Sequence, residues 1–543
     1  MKVNPTLVVM GIIDDGIAFA QEQFRLGSKT RVEYWWLQDG APLGSVPYGR
    51  ELNKAQINAL FAQCTRAGVI DEDEVYRGAG LIDFRQRGHK SAAWRIAHGT
   101  HVLDLACGYD PQIMRDDRPI VCVQLPIRVT ADTSGGTLGP HALVAMQYIL
   151  ERADQIAKDL GTGPLPVVVN LSYGYFAGPH DGTTPFEVAM DDLVQKSAKR
   201  DVTLRIVLPA GNSYLLRTHA QTAFPNVGDS ACLDWRILPD GRKPSYLEIW
   251  LPTSVAGAPS RLAVSITSPT GQQMVIQEQN GALQQWVTPA GAVYAEVRYH
   301  YRASSQRGLF FVVVNETMSL QQGAAIAPAG TWIVKLQNQA LGPGDVVHAW
   351  VQRDDSLYGF PIRGRQSYFN NGYYQRFDPE GRDNETDDPA CVVLRAATLN
   401  AIATGQEPIV MGGFLRKEMV AAKYSSSGPV ANPPRPDAMT VSEDSKVHAG
   451  VLAAGSRSGS VIAMGGTSVA APQIARLIAD DLAAGGKGDR AAVQERAMAD
   501  EATYPAGTPP PPPAPPPTFL QRYGAGRIML PPHVRMRRYW GQY

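Results

Sequence analysis

Short apolar runs, rich in β-branched residues, alternate with amphipathic stretches over the first 228 residues of the chain. The apolar runs lie at 7–13, 166–171 and 204–208, and the stretches with helical periodicity lie at 52–67, 141–157 and 188–199. Strands that alternate with helices are typical of βαβ units, in which helices cover both faces of a parallel sheet. The pattern therefore predicts an α/β domain that begins near the first residue.

The helical pattern stops near residue 235, and short alternating segments follow as far as residue 355. These segments lie at 246–251, 261–267, 292–299, 308–315, 331–336 and 346–351. Turn-forming clusters such as Pro328-Ala329-Gly330 separate them. Regularly spaced short strands with such turns are typical of a β-sandwich or jelly roll. We therefore predict an inserted all-β domain over 235–355.

The α/β pattern returns near residue 390, with strands predicted at 407–411 and 460–464 and a helix at 468–482. One apolar stripe along this helix predicts that it packs into the core; it is formed by Ala471, Ile474, Ala475, Ile478 and Leu482. The proline run at 509–517 predicts a polyproline II spacer, with an SH3-type ligand as the alternative. We therefore predict one α/β domain in two parts, 1–228 and 390–530, separated by the all-β domain. The first part contains an insertion at about 18–97, and a C-terminal tail follows at 531–543.

Composition narrows the range of partners without changing this picture. Lys and Arg number 51 and Asp and Glu number 51, so no overall field favours nucleic acid or an anionic membrane. No apolar run approaches the roughly 18 residues of a membrane span. The first apolar run ends at Asp14 and Asp15 without a small-residue cleavage site, which argues against a signal peptide. We expect a cytoplasmic protein, and export by another route stays open.

The five cysteines are odd in number and scattered, without CxxC spacing. They are Cys64, Cys107, Cys122, Cys232 and Cys391. We predict buried free thiols, no disulfide framework and no zinc site. No acidic loop with EF-hand spacing is present either, so no cofactor is predicted, and structural calcium stays possible without a motif to support it.

Two short motifs place an ionisable side chain where a predicted strand ends or a helix begins. Asp14-Asp15-Gly16 follows the strand at 7–13, and open α/β sheets place their sites at the carboxyl ends of strands. His98 opens the apolar helix that begins His98-Gly99-Thr100-His101-Val102, which would fix the direction of its imidazole. Asp14 and His98 are therefore candidates for an acid–base pair.

Two further motifs place a donor and a nucleophile in equivalent positions. Asn212 follows the strand at 204–208 and offers an NH2 donor that no pH change removes. Ser468 opens the last predicted helix and follows Gly465-Gly466-Thr467, whose small residues let a substrate backbone approach. The N–H groups and dipole at a helix start favour developing negative charge. Each motif alone is weak evidence, but the four occur together.

In the order Asp14, His98, Asn212 and Ser468, these motifs resemble the subtilisin-like serine peptidases, or subtilases. Four further segments resemble secondary motifs of that family: Asn170-Leu171-Ser172-Tyr173-Gly174, Tyr424-Ser425-Ser426-Ser427-Gly428-Pro429, Arg435-Pro436-Asp437 and Tyr523-Gly524-Ala525-Gly526-Arg527-Ile528. The resemblance covers about 1–228 and 390–530. It implies a mostly parallel sheet with helices on both faces, interrupted by a jelly-roll module like those of larger subtilases.

The resemblance also implies a role for each residue. Ser468 would attack the scissile carbonyl, with His98 as general base and acid, Asp14 orienting His98, and Asn212 holding the oxyanion. Substrate would bind as an added strand along Ser172, Tyr173 and Gly174. The expected activity is that of a serine endopeptidase acting on extended segments of a protein or peptide. The alternatives are an exopeptidase, with Glu72 to Glu74 holding the substrate amine, and a catalytically silent binding protein.

Several features depart from the family pattern. Asp14 lies so near the first residue that we expect no pro-segment, so another device would restrain activity. The charged stretch at 72–95 is interpreted either as a gating loop or as a plain surface insertion. Asp15 stands where Ser or Thr is usual, although the Asp-x-Gly step favours Asp14 as the triad member. For the all-β domain, substrate docking, a partner or oligomer contact, and stabilisation are left unranked.

Overall fold

The computed structural model describes residues 7–86, 88–109, 116–357, 362–428, 435–504 and 516–531. The strands before residue 210 are β1 (Val9–Asp14), β2 (Arg25–Leu26), β3 (Lys29–Thr30), β4 (Val32–Leu37), β5 (Arg50–Asn53), β6 (Thr65–Arg66), β7 (Val69–Ile70), β8 (Ile120–Gln124), β9 (Val167–Leu171) and β10 (Leu204–Pro209). The helices of this part are α1 (Lys54–Gln63), α2 (Glu72–Ala79), α3 (His98–Cys107), α4 (Ile127–Ala131), α5 (Leu138–Asp159) and α6 (Pro185–Ala198). Two short 3-10 helices lie at Glu22–Phe24 and Ser91–Ala93.

The middle of the chain is built from strands alone. These are β11 (His219–Ala223), β12 (Ser230–Ile237), β13 (Ser245–Thr253), β14 (Leu262–Thr267), β15 (Gln273–Gln277), β16 (Leu283–Val287), β17 (Val293–Arg302), β18 (Arg307–Val314), β19 (Gly330–Asn338), β20 (Val346–Val351), β21 (Tyr368–Asn370) and β22 (Val393–Leu394). The last part contains β23 (Ile409–Leu415), β24 (Ala438–Glu443), β25 (Val451–Ala454), β26 (Val461–Met464), β27 (Arg527–Ile528), α7 (Thr467–Ala483), α8 (Arg490–Glu501) and α9 (Pro516–Tyr523).

A nine-stranded sheet in the order β27-β24-β23-β10-β9-β1-β8-β4-β5 forms the centre of the α/β part. Every neighbouring pair is parallel except β4 and β5, which are antiparallel. Because β1 lies in the middle of this sheet, its carboxyl end is flanked by the ends of β8 and β9. The predicted mixed α/β fold with a large, mostly parallel sheet is confirmed.

The two faces of β1 are covered by different helices. Met10 and Ile12 belong to an apolar cluster with residues of α3 and α7. Val9 and Ile13 belong to a second cluster with residues of α5 and α6. A continuous apolar run is what a strand buried on both faces requires, because successive side chains point to opposite sides. The hydrophobic pattern at 7–13 therefore corresponds to a strand in the middle of the fold.

The strands between His219 and Leu394 form two separate antiparallel sheets, one of seven and one of five strands. Side chains from both sheets share one apolar core, which includes the fully buried Trp235, Trp286 and Trp332. Trp286 and Trp332 meet edge to face with ring centroids 5.7 Å apart. Two sheets enclosing a common core form a β-sandwich. The jelly-roll connectivity stays a prediction.

The segment at about 18–97 contributes to the main sheet. It supplies β4 and β5, which extend the sheet beyond β8. Its charged helix α2 packs against the β25–β26 connection, where the buried Glu72 accepts a hydrogen bond from the Ser458 backbone at 3.0 Å. Arg25 pairs with the same carboxylate at 3.3 Å. This segment is thus folded and held by ion pairs, and its gating role stays a prediction.

Three smaller expectations have mixed outcomes. All five cysteines are free, and four are buried, but the prediction of burial was wrong for Cys232, which is exposed because it lies on an outward-facing position of β12. The polyproline II prediction was wrong for Pro516 and Pro517, which begin α9, where missing backbone donors cost little. The rest of the proline run and the tail after 531 lie outside the described residues. Within the described part, no helix is long and apolar enough to span a bilayer.

Candidate active site

The ends of four elements meet at the carboxyl edge of the nine-stranded sheet. β1 ends at Asp14, and α3 begins at His98. Asn212 follows β10, and Ser468 is the second residue of α7. Asp14, His98 and Ser468 belong to elements packed into the core, and Asn212 lies three residues after the end of β10. The structure thus brings together the four residues that the sequence analysis selected.

His98 lies between a carboxylate and a hydroxyl. Its Nδ1 is 2.7 Å from Asp14 Oδ1, and its Nε2 is 3.1 Å from Ser468 Oγ. Asp14 is fully buried, whereas the His98 side chain is 25% exposed and Ser468 is partly exposed. The hydroxyl is therefore reachable from solvent while the carboxylate is not. This arrangement can move a proton from Ser468 to His98 and stabilise the resulting imidazolium.

The carboxylate of Asp14 is fixed by the backbone next to it. Its Oδ1 accepts a hydrogen bond from the Asp15 N–H at 2.8 Å in addition to facing His98. Burial opposes the charged imidazolium, but the charge and hydrogen bond of Asp14, together with the Asp15 charge, raise the pKa of His98 above its ordinary value. A base with a raised pKa holds a proton more strongly once it has accepted it.

Asn212 is oriented by the residue before the serine. Its Oδ1 accepts hydrogen bonds from the Thr467 N–H and the Thr467 hydroxyl, both at 2.9 Å. This leaves the Nδ2 donor on the side of Ser468. A methyl group at Gly466 would lie 3.2 Å from Asn212 Nδ2 and 3.2 Å from Ser468 Oγ, so the missing side chain leaves a small space between donor and nucleophile. An oxyanion formed at Ser468 would fit in that space.

The segment after β9 borders the same site. The Ser172 hydroxyl donates a hydrogen bond to the Ser468 carbonyl at 3.0 Å. The Tyr173 ring packs edge-on against His98 with centroids 5.8 Å apart. Gly174 lies so close to Asn400 that a Cβ would be 2.0 Å from its side-chain amide. All three predicted substrate-binding residues therefore line the cleft.

The cleft is a cavity of about 190 Å³ that has His98 and Ser468 in its wall. Sequence reasoning missed three residues that shape it. Thr467 orients Asn212, and its position in the sequence directly before Ser468 could have indicated that it belongs to the site. Asn400 forms the floor, where its Nδ2 donates to the carbonyls of Tyr173 (3.0 Å) and Pro209 (3.3 Å). Arg353 comes from the β-sandwich, and no motif marks either Arg353 or Asn400.

Asp15 places a second carboxyl group beside the triad. It is almost completely buried, and its polar neighbours include the hydroxyls of Tyr173 and Ser91. Burial, reinforced by the negative charge of Asp14, raises the pKa of Asp15 to about 7. Asp15 therefore ionises at a higher pH than an ordinary aspartate, and its charge acts on His98 once it is ionised.

Asp14, Asp15 and His98 place ligand-type atoms within 4.8 Å of one another. One imidazole and two carboxylates fall short of the six to eight oxygen ligands of calcium. Moreover, His98 Nδ1 and Asp14 Oδ1 are occupied by the hydrogen bond between them. The geometry favours an acid–base role for the group, and the absence of a resident metal stays a prediction.

Replacement of Asp15 by Asn is expected to lower the pKa of His98. The Asp15 charge contributes to raising that pKa, so its removal destabilises the imidazolium. NMR titration of the His98 ring protons would measure the shift, with His300 in the β-sandwich as an internal control. An unchanged or higher pKa of His98 in Asp15→Asn would contradict this prediction.

Comparison with known proteins gives a match in structure but none in sequence. No family model matches the chain, and no curated protein matches it. The CspB protease of Clostridium perfringens superposes with a TM-score of 0.64 at 17% identity, over 98% of this chain and 95% of that one. The patellamide maturation protease PatG gives a TM-score of 0.34 at 10% identity, over 99% and 92% of the two chains. From the first of these matches, the chain has a fold that resembles those of subtilisin-like proteases.

Proposed function

We propose that this protein is a serine endopeptidase that hydrolyses peptide bonds in extended protein segments. The observation that supports this most strongly is the pair of hydrogen bonds made by His98, 2.7 Å to Asp14 and 3.1 Å to Ser468. A buried carboxylate, an imidazole and a reachable hydroxyl in series are what nucleophilic catalysis by serine requires. The similarity in fold to a protease agrees with this proposal.

Acylation would begin when Ser468 Oγ attacks the scissile carbonyl carbon and its proton passes to His98 Nε2. Asp14 stabilises the imidazolium, while Asn212 Nδ2 and the Ser468 N–H hold the oxyanion. His98 then gives the proton to the leaving amine, which departs and leaves an ester on Ser468. Water attacks this ester with His98 again as base, which releases the acid product and restores the hydroxyl.

The substrate would bind as an extended strand along Ser172, Tyr173 and Gly174. Main-chain hydrogen bonds to such a segment supply affinity without requiring a particular side chain. A peptide bond in a helix is not extended, and one inside a folded sheet already has its backbone groups paired, so locally unfolded segments of proteins are the expected substrates.

The exopeptidase alternative is weakened by the positions of its proposed amine anchors. Glu72 is buried and bonded to Ser458, Asp73 pairs with Arg457 at 2.5 Å, and Glu74 pairs with Arg66. None of the three acidic residues borders the described cleft. An endopeptidase needs no such anchor, so the arrangement favours internal cleavage.

A fluorophosphonate probe tests whether Ser468 is an activated nucleophile. We expect the probe to label the wild-type protein and Ser304→Ala, whose exposed serine lies in the β-sandwich. Labelling should disappear in Ser468→Ala. If the wild-type protein is not labelled, the catalytically silent scaffold replaces this proposal.

Products from a peptide blocked at both ends separate the two kinds of peptidase. An endopeptidase cleaves such a peptide internally, and mass spectrometry of the fragments locates the bond. Cleavage only after the amino terminus is unblocked would favour the exopeptidase.

Replacement of Asn212 by Asp is expected to lower kcat by about 10²–10³-fold, with KM little changed. The substituted carboxylate can still accept from Thr467, but it offers an oxygen where the Nδ2 donor stood. The oxyanion then loses a hydrogen bond that forms only in the transition state. Steady-state kinetics on a blocked peptide would measure this, with the exposed Asn280→Asp as a matched control. A loss confined to KM would contradict the oxyanion role.

A further inference from the structure

The β-sandwich contributes a side chain to the wall of the candidate active site. The chain leaves β20 at Val351 and continues directly over the α/β part. Here the buried Gln352 accepts hydrogen bonds from the N–H groups of Phe176 (2.7 Å), Ala177 (3.3 Å) and Arg353 (2.9 Å). The position of Arg353 is therefore fixed relative to the substrate-binding segment that ends at Gly174.

A second set of contacts holds the same stretch from the other side. Lys243 Nζ donates to the carbonyls of Ala131 at 2.9 Å and Asp355 at 3.0 Å. The Thr133 hydroxyl donates to the Asp355 carbonyl at 3.1 Å. These hydrogen bonds join the sandwich to the loop after α4, and together with the Gln352 contacts they hold the backbone on both sides of Arg353.

Two of the three guanidinium nitrogens of Arg353 donate hydrogen bonds to a neighbouring carboxylate, and the third can donate to a ligand. Its Nε and Nη2 donate to the two carboxylate oxygens of Asp355 at 2.6 and 3.3 Å, and its side chain is 25% exposed. Nη1 has no hydrogen-bond partner among the described residues. Of the described residues that line the cleft, Arg353 is the one lysine or arginine. It lies over the Phe176 ring, 5.8 Å from the centroid, beside the predicted substrate strand.

We propose that Arg353 is a specificity-determining residue that binds an Asp or Glu side chain on the amino-terminal side of the scissile bond. The proposal rests on the proposed peptidase function. The proposal places that side of the substrate along Ser172, Tyr173 and Gly174, which line the same cleft as Arg353. A guanidinium recognises a carboxylate by a charge-assisted hydrogen bond, for which Nη1 is available.

Two acidic residues in the same wall set the opposing charge. Asp132 uses its Oδ1 to accept hydrogen bonds from the Ser134 N–H at 3.1 Å and the Ser134 hydroxyl at 2.6 Å. Asp15 is buried among Tyr173, Ser91 and Asp14, so its carboxyl group does not face solvent as Arg353 does. Asp355 offsets part of the charge of Arg353, and Nη1 is the donor that remains for a substrate carboxylate.

Paired peptides blocked at both ends test this preference. Each pair would differ only by Glu or Gln at one position before the cleaved bond. At one such position, the wild-type protein should cleave the Glu peptide with a kcat/KM about tenfold above that of the Gln peptide, as one charge-assisted hydrogen bond at a partly exposed site would give. The ratio should fall to about one in Arg353→Gln and below one in Arg353→Glu. Arg236→Gln, an exposed arginine of the sandwich, should keep the wild-type ratio.

Fluorophosphonate labelling of the same variants separates the two proposals. Arg353→Gln and Arg353→Glu should still be labelled, because Arg353 contacts neither Ser468 nor Asn212. Since the charge of Arg353 lowers the pKa of His98, labelling is compared at a pH high enough to keep His98 neutral in every variant. Equal Glu-to-Gln ratios in labelled wild-type and Arg353 variants would overturn the role of Arg353 and leave the peptidase intact. Absence of both labelling and cleavage in the wild-type protein would overturn the peptidase function itself, and the role of Arg353 with it.

Discussion

Replacement of Ser468 by Ala is expected to lower kcat by about 10⁶-fold, to the residual rate that oxyanion binding and substrate positioning support. Under the proposed mechanism, the variant lacks the oxygen atom that forms the ester with the substrate. His98, 3.1 Å from Ser468 Oγ in the wild-type protein, would have no proton to accept. Turnover of a blocked peptide, followed by mass spectrometry of the products, would measure the loss.

The same experiment should show that Ser468 and His98 act as one unit. His98→Ala is expected to lower kcat by about the same factor as Ser468→Ala. The double variant should lower kcat no further than either single variant, because each change disables the same proton transfer. Ser304→Ala controls for the loss of a hydroxyl elsewhere. If Ser468→Ala keeps more than about 1% of the wild-type kcat, the nucleophile lies elsewhere.

The sequence predicted this part of the structure well because its signals are local. A strand buried on both faces shows a continuous apolar run, and β1 and β9 do so. A helix that begins at a reactive residue shows a break before an apolar stripe, as α7 does after Gly466. Since parallel strands end at the same edge of a sheet, side chains at those ends were expected to meet, and Asp14 and Asn212 do lie at that edge.

Residues whose positions depend on contacts between distant parts of the chain could not be predicted. Asn400 precedes β23 and forms the cleft floor only because Gly174 leaves space for it. Arg353 reaches the cleft because Gln352 and Lys243 fix the sandwich against the α/β part, and no periodicity encodes that docking. Likewise β4 and β5 join the main sheet within a segment that the motif spacing marked as an insertion.

Asp14→Asn is expected to lower kcat by about 10⁴-fold, while the positions of the surrounding atoms change little. The amide can keep its oxygen near the Asp15 N–H, but it is neutral, and its NH2 can donate to His98 Nδ1. That bond would place the imidazole proton on Nε2, where it blocks acceptance of the Ser468 proton. A neutral group also removes the charge that stabilises the imidazolium, so the pKa of His98 should fall.

The pH dependence distinguishes Asp14 from Asp15. Because folding raises the pKa of His98, the protonated imidazole adds to the free energy of unfolding at pH values below the ordinary histidine pKa. This stabilisation is lost as the pH rises through the pKa of His98 in the folded protein. Catalysis needs neutral His98, so the acid limb of kcat/KM should move to lower pH in Asp14→Asn and in Asp15→Asn. Only Asp14→Asn should also show the 10⁴-fold loss in kcat, because only Asp14 bonds His98 Nδ1, at 2.7 Å. A greater loss of kcat in Asp15→Asn than in Asp14→Asn would assign the orienting role to Asp15 instead.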